Sequence, residues 1–231
     1  MTETKLGYFG KLPCTGDFVQ FNLPGSMSST WDKWLQNSLL ASQQALGEHW
    51  LDYYLVAPWW RFVLLPSIVN EQAWVGLWCP SVDKVGRYFP FTMMYPLEAE
   101  VAPLDVMLKN AVWYESLEEL VGLVLDQSIG FDEFRQAFLE LPQPDIDSPQ
   151  MGDLSALSLD VPMTAAGPFQ VTSALTSALL HKQGAKQSFW WTEGSTWVRP
   201  KLISSNLLPK YQSFTAFIDG KWQQWGWQGL Y

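Results

Sequence analysis

Arg61-Phe62-Val63-Leu64-Leu65, Ala73-Trp74-Val75-Gly76-Leu77-Trp78-Cys79 and Phe91-Thr92-Met93-Met94-Tyr95 together decide the fold class of this chain. Each run is short and nearly all apolar, and prolines mark the ends: Pro66, Pro80, then Pro90 and Pro96. Near-continuous apolar runs of this kind fit interior strands covered on both faces, as in layered α/β domains. A mixed central sheet is therefore expected, built from residues near 61–65, 74–79, 91–95 and 188–198. A longin- or profilin-like α+β arrangement is the alternative.

Outward from these strands, Lys5 to Phe9 predicts a short strand running into a turn rich in Gly, Pro and Asp. Met27, Trp31, Trp34, Leu35, Leu39 and Leu46 share one helical face, so a helix is predicted over 27–46. Ser29 with Asp32 resembles a capping box, and Gly47 suits the position after its end. His49 to Val56 predicts a further short turn or helix. Pro103 opens a helix over 104–127, and Ser116 with Glu119 places a break near 115. Phe131, Phe134, Phe138 and Leu141 predict another amphipathic helix. A helix is expected near 172–183, then a hairpin of 188–192 and 196–198 around Glu193-Gly194-Ser195. Tyr211 to Ile218 reads as a short helix, or Asp219-Gly220 as a hairpin turn. The whole of 1–231 is expected as one domain. It holds a motif-dense core at 6–97, a helical region at 104–140, a proline-rich connection at 142–170 and a C-terminal helix and hairpin at 172–231.

The 231 residues carry 14 Lys plus Arg against 23 Asp plus Glu, a net charge of −9. With 48% hydrophobic and 16% charged residues the chain is too apolar for disorder. Its acidity argues against nucleic acid and against an anionic membrane surface, both of which need a basic surplus. Two cysteines are far from a disulfide framework, and the opening residues lack the apolar run of a secretory signal. No window resembles a membrane-spanning helix. A cytoplasmic location is the expectation.

The search for catalytic chemistry yields little. The two histidines, His49 and His181, sit in no recognisable motif. Cys14 beside either of them is the only conceivable thiol nucleophile pair, and a buried structural thiol is the plainer reading. Metal-ligand spacings and phosphate-binding glycine loops are absent from the sequence, so no metal and no cofactor is expected. Two polar clusters are more informative. Gly10-Lys11-Leu12-Pro13-Cys14-Thr15-Gly16-Asp17-Phe18 and Ser81-Val82-Asp83-Lys84-Val85-Gly86-Arg87-Tyr88-Phe89-Pro90 each combine glycines, opposite charges and aromatics. Either they brace tight turns, with Asp17 and Asp83 accepting backbone N–H groups. Or they lie together at one sheet end and form a partner site through Lys11, Asp17, Asp83, Arg87 and Tyr88. Arg61, inside an apolar strand, is expected to pair with a buried acid. Most of the 14 tryptophans are expected in core and rim packing, whereas Trp222, Trp225 and Trp227 are separated by glutamines and stand as candidate anchors, with Tyr231 beside them.

Gly7-Tyr8-Phe9-Gly10-Lys11-Leu12-Pro13, Gly16-Asp17-Phe18, Trp31-Asp32-x-Trp34-Leu35, Ala57-Pro58-x-Trp60-Arg61-Phe62 and the run from Pro80 to Pro90 follow one another in order. Together they resemble the type VI secretion-associated TagF family, also called ImpM, densely over residues 6–97. The resemblance implies a three-layer α/β/α sandwich and a cytoplasmic accessory protein of a contractile secretion machine. It implies a post-translational negative regulator of assembly that acts through the forkhead-associated scaffold protein Fha. Some relatives carry a PP2C-type phosphatase domain; 231 residues leave no room for one, so a non-enzymatic regulator is expected. An enzyme using Cys14 or the two aspartates, and a Trp-rich carbohydrate or peptide-binding module, are the alternatives.

Overall fold

Period-two alternation sorts the strand residues into two sets, and the two sets meet different helices. The computed structural model describes residues 4–98, 103–146, 176 and 186–229. Its strands are β1 (Gly7–Gly10), β2 (Val19–Phe21), β3 (Trp60–Leu64), β4 (Ala73–Cys79), β5 (Phe91–Leu97), β6 (Gln187–Thr192) and β7 (Lys201–Asn206). Its helices are α1 (Gly25–Leu46), α2 (Trp50–Tyr54), α3 (Pro103–Lys109), α4 (Ala111–Leu125), α5 (Phe131–Glu140) and the single turn α6 (Ala216–Asp219). Val63, Val75, Leu77, Met93 and Tyr95 pack against Tyr114, Leu117 and Val121 of α4 and Phe134 and Phe138 of α5. The residues between them, Phe62, Leu64, Trp74, Trp78 and Met94, pack against Trp31, Trp34 and Leu35 of α1 and against Phe214 and Phe217. The result is the expected three-layer α/β/α sandwich, with a separate apolar core on each side of the sheet.

The strand order is β2-β1-β5-β4-β3-β6-β7. The expectation of a mixed sheet is corrected: every neighbouring pair of strands is antiparallel. Loops 65–72 and 80–90 are the reason in the centre of the sheet. A parallel neighbour requires a crossover of a dozen residues or more, usually a helix, and these loops contain none. β5 runs through Pro96, which the sequence marked as its end. Its neighbour β1 pairs only with Thr92–Met94, so Pro96 breaks no ladder on that side.

Directly opposite residues share a face, which puts Trp190, Phe62, Gly76 and Met94 in one row beneath α1. Trp31 of α1 lies over that row, 5.0 Å from the Phe62 ring and 6.0 Å from Trp190, and its Nε1–H donates to Thr92 Oγ1 at 3.0 Å. Glycine at 76 is required by proximity. A Cβ there would stand 2.2 Å from the Met93 carbonyl oxygen and 2.9 Å from the Phe62 ring. The C-terminal segment roofs this side: Trp34 Nε1–H donates to the Pro209 carbonyl at 2.9 Å, and Trp60 Nε1–H to that of Phe217 at 3.1 Å.

Several local boundaries depart from the sequence reading. α1 begins at Gly25, where the Pro24 carbonyl accepts the N–H groups of Met27 and Ser28, so Ser29 and Asp32 lie inside it. The helix break falls at Asn110, not near 115. The Asn110 amide donates to the carbonyls of Val106 and Asp145 at 2.8 Å each and accepts the Asp145 N–H at 2.7 Å. A short amide that bonds locally in this way competes with the helix ladder. The partner of β6 is Lys201–Asn206, not 196–198. Gly194 takes φ +97° and the Ser195 N–H bonds the Val198 carbonyl at 2.7 Å, so 193–200 closes as a loop. The last segment is helical: Gln212–Thr215, α6 and Trp222–Trp225 are short turns, and Gly220 in the left-handed region ends α6. Of the expected helix at 172–183, Thr176 is described and is helical; its other residues, His181 among them, most of the 142–170 connection and Tyr231 lie outside the described residues. Among the described residues no helix is long and apolar enough to cross a membrane.

Candidate functional site

Antiparallel pairing brings the two polar motifs together. β1 ends at Gly10 where β5 begins, since Phe9 pairs with Thr92, and Cys79 at the end of β4 pairs with Phe91. The segment leaving β1 and the segment joining β4 to β5 therefore emerge side by side. Gly10, at φ +136°, lies so close to Pro90 that a Cβ would sit 2.1 Å from its carbonyl oxygen. The Lys84 N–H donates to the Thr15 carbonyl at 2.8 Å, and Ser81 Oγ–H to that of Lys11 at 2.7 Å.

Asp83 is the centre of this junction, with its side chain fully enclosed. Its Oδ2 accepts from Lys11 Nζ at 2.8 Å and from Arg87 Nε at 2.7 Å. Its Oδ1 accepts the backbone N–H groups of Val85 at 3.0 Å and Arg87 at 2.9 Å, which fixes a tight 83–87 turn. Burial works to raise the carboxyl pKa. The Lys11 ammonium, the Arg87 N–H, the Arg87 guanidinium and the Val85 N–H overrule it, and hold Asp83 well below the usual carboxylate range. Arg87 also donates to the Gly16 carbonyl and lies 3.6 Å from Asp17. Lys11, Asp17, Asp83 and Arg87 are thus one cluster.

The cluster has an inner and an outer half. Lys11 is buried beneath the Phe18 ring, 5.0 Å from its centroid, and Phe18 packs edge-on to Phe89. Asp17, the partly exposed Arg87, and the apolar Phe18 and Val85 face outward, the last two 47% and 67% exposed. Tyr88 turns instead toward α2, edge-on to Trp50 and Tyr54. Among the described residues no ring contact or hydrogen bond joins the cluster to the C-terminal tryptophans. Those are half-buried over α6: Trp222 and Trp227 pack on Phe217, and Trp225 Nε1–H donates to Asp219 at 2.7 Å.

The remaining chemical candidates are dispersed. Burial pushes both thiols up, Cys14 moderately and the enclosed Cys79 far, the opposite of what activates a nucleophile. His49 is exposed and faces Asp52 at 3.3 Å. Among the described residues no group of three or more His, Cys, Asp or Glu is placed to hold a metal. Arg61 pairs with an acid as expected, Glu118, through two parallel bonds of 2.7 and 2.8 Å, but that acid is part-exposed and not buried. Sequence reasoning overlooked Tyr54, whose hydroxyl bonds Ser81, and Asp219, whose carboxylate holds Trp225 and the Lys221 N–H. The available signal for Asp219 was its place before Gly220, which fits a helix end as well as a hairpin.

A family model described as the TagF N-terminal domain, type VI secretion system-associated, matches residues 7–141, more than half of the chain and all of the two-loop cluster. The crystal structure of PA0076 from Pseudomonas aeruginosa PAO1 superposes with a TM-score of 0.81 at 33% sequence identity, covering 94% of each chain. Comparison with curated proteins gives no match.

Proposed function

This chain belongs to the TagF family of type VI secretion-associated proteins, and from that premise we propose that it is a cytoplasmic, non-enzymatic repressor of secretion-system assembly. It acts by binding the forkhead-associated scaffold protein, needs no cofactor, and contacts neither nucleic acid nor the membrane interior. One observation supports this reading above the others. The Asp83 carboxylate has both oxygens occupied by structural partners, whereas Phe18, Val85 and Arg87 are turned outward. The charges inside the cluster brace a surface, and it presents an aromatic ring, Phe18, and an arginine, Arg87, the kinds of residue enriched at protein interfaces.

A binding repressor works by mass action, so repression tracks its concentration relative to the scaffold and catalytic amounts do not suffice. At a net charge of −9 it favours a positively charged partner patch, and affinity falls as salt rises. Titration of purified scaffold at low and high ionic strength tests this. Stoichiometric, salt-weakened binding that Cys14→Ala leaves intact is the expected result. No detectable binding at any salt removes this partner, and loss of repression in a folded Cys14→Ala variant moves the assignment toward a thiol enzyme.

A further inference from the structure

Behind the Arg61–Glu118 pair lies a cleft of about 310 Å³, lined by Ala57, Pro58, Trp59 and the start of the loop after β6. Among the described residues Arg61 is the only cation of this lining, and that guanidinium is already bonded to Glu118 and 3.2 Å from Glu193. One cation against two carboxylates leaves the described lining negative. The Glu193 side chain is 81% exposed, so most of its acceptor capacity faces solvent. Ser195 Oγ is enclosed in the same lining with no hydrogen-bond partner among the described residues. Trp59 supplies an aromatic wall, and aromatic faces attract cations. A carboxylate or phosphate would meet a surplus of like charge here, while an ammonium or guanidinium would find acceptors and a ring.

Exposed apolar side chains adjoin this lining along the chain. Leu55 and Val56 immediately precede Ala57 and are 56% and 40% exposed, and Trp197, two residues after Ser195, is 50% exposed. Trp197 rests against Tyr53 at 5.4 Å on a loop that is fixed from within. The Gly194 N–H bonds Thr192 Oγ1 at 3.0 Å, the Ser195 N–H bonds the Val198 carbonyl, and Val198 is fully buried. A half-exposed tryptophan on a pre-organised loop is the arrangement expected of an interface anchor.

We propose that the cleft receives an arginine or lysine side chain of a protein partner, with an apolar neighbour of that residue covering Trp197 and Leu55. This deepens the binding reading given above and rests on it. The first test is independent of the scaffold: nitrogen-15 spectra of the full chain titrated with the blocked tripeptide acetyl-Leu-Arg-Leu-amide, and with its Leu-Glu-Leu counterpart. The basic peptide is expected to shift the Gly194 and Ser195 amides and the Trp197 indole, with affinity at least tenfold weaker in Glu193→Lys and intermediate in Glu193→Gln. No shift at these groups, an equal shift with the acidic peptide, or full retention in Glu193→Lys overturns the proposal. In the second test Glu193→Lys and Trp197→Ala each lower scaffold affinity tenfold or more, while Glu140→Lys, the same charge change on α5, does not. If the scaffold ignores the wild type while the basic peptide still binds, the assigned partner falls and the cleft stands. If the scaffold binds and both cleft variants bind equally well, the cleft falls and the repressor reading stands.

Discussion

Tyr54 and Ser81 hold each other by two hydrogen bonds: the tyrosine hydroxyl donates to the Ser81 carbonyl at 3.0 Å and accepts the Ser81 N–H at 3.1 Å. Tyr54 is fully buried in α2, and Ser81 opens the turn that carries Asp83. One phenol thus sets the height of the whole β4–β5 connection against the helix.

Tyr54→Phe keeps the ring stacked on Trp50, whose centroid is 4.5 Å away, and deletes only the oxygen. The Ser81 N–H is then buried without its partner, while the carbonyl keeps the Phe89 N–H at 3.1 Å. Equilibrium urea denaturation should show a loss of about 1–3 kcal/mol, the usual cost of a stranded buried donor. A loss too small to resolve would mean that water replaces the phenol there.

Asp83→Ala strands Lys11 in the interior, takes from Arg87 its carboxylate partner at the rim, and removes the one oxygen that accepts two turn-closing N–H groups. Asp52, 70% exposed and paired with exposed His49, provides the matched control. Thermal melts should place Asp83→Ala far below wild type, with Asp52→Ala inside the roughly 0.5 kcal/mol of an ordinary surface change. Similar melting temperatures for the two variants would refute the bracing role.

Acid should separate wild type from Asp83→Asn in one direction. The folded Asp83 pKa lies below its unfolded value of about 3.9, so its stabilisation is fully present above that value. It is lost as pH falls through the folded pKa. The stability gap between the two proteins should stay constant from pH 8 to about 5 and then narrow on acidification. A gap that widens toward acid would contradict the assignment.

Gly76→Ala asks whether the row under α1 tolerates one methyl group. The added carbon would overlap the Met93 backbone, which cannot swing away, as well as the Phe62 ring. Calorimetry should register at least the 1–3 kcal/mol typical of overpacking, about the same at all pH values. An unchanged melting temperature would show that β4 and β5 part easily.

Native thiol labelling with iodoacetamide at pH 7.5 should be slow at both cysteines, and slower at enclosed Cys79 than at half-buried Cys14. In denaturant the two rates should converge. Labelling of Cys14 faster than a free thiol would revive the nucleophile reading.

The central strands β3, β4 and β5 were legible because their apolar runs are bounded by prolines and buried on both faces, and β4 is read to the residue. The edge strands β2 and β7 are short or polar and were not seen. α1 was legible from its Trp-rich stripe, and its start was missed because Pro24 caps it through a carbonyl, which leaves no side-chain signature. The Asn110 break and the true partner of β6 depend on bonds to Asp145 and on closure of the loop before Pro200. Neither is visible in a local window. For the site, two loops rich in Gly and charge were recognisable, and their meeting follows from the β1–β5 pairing. The identity of the acid that serves Arg61, and the roles of Tyr54 and Asp219, required the tertiary structure.

The roof over α1 has a consequence for how the protein is made. Trp34 is closed off by Pro209, 175 residues further along the chain, and Trp60 by Phe217, 157 residues further along. During synthesis α1 and strands β1 to β5 leave the ribosome well before β6, β7 and this cover do. A broad aromatic face, including Trp31, Phe62 and Trp78, waits in that interval for residues 187–217 to arrive. Contacts between such distant positions slow folding and expose apolar surface on the way. Truncation before Pro209 would therefore remove a lid the core depends on.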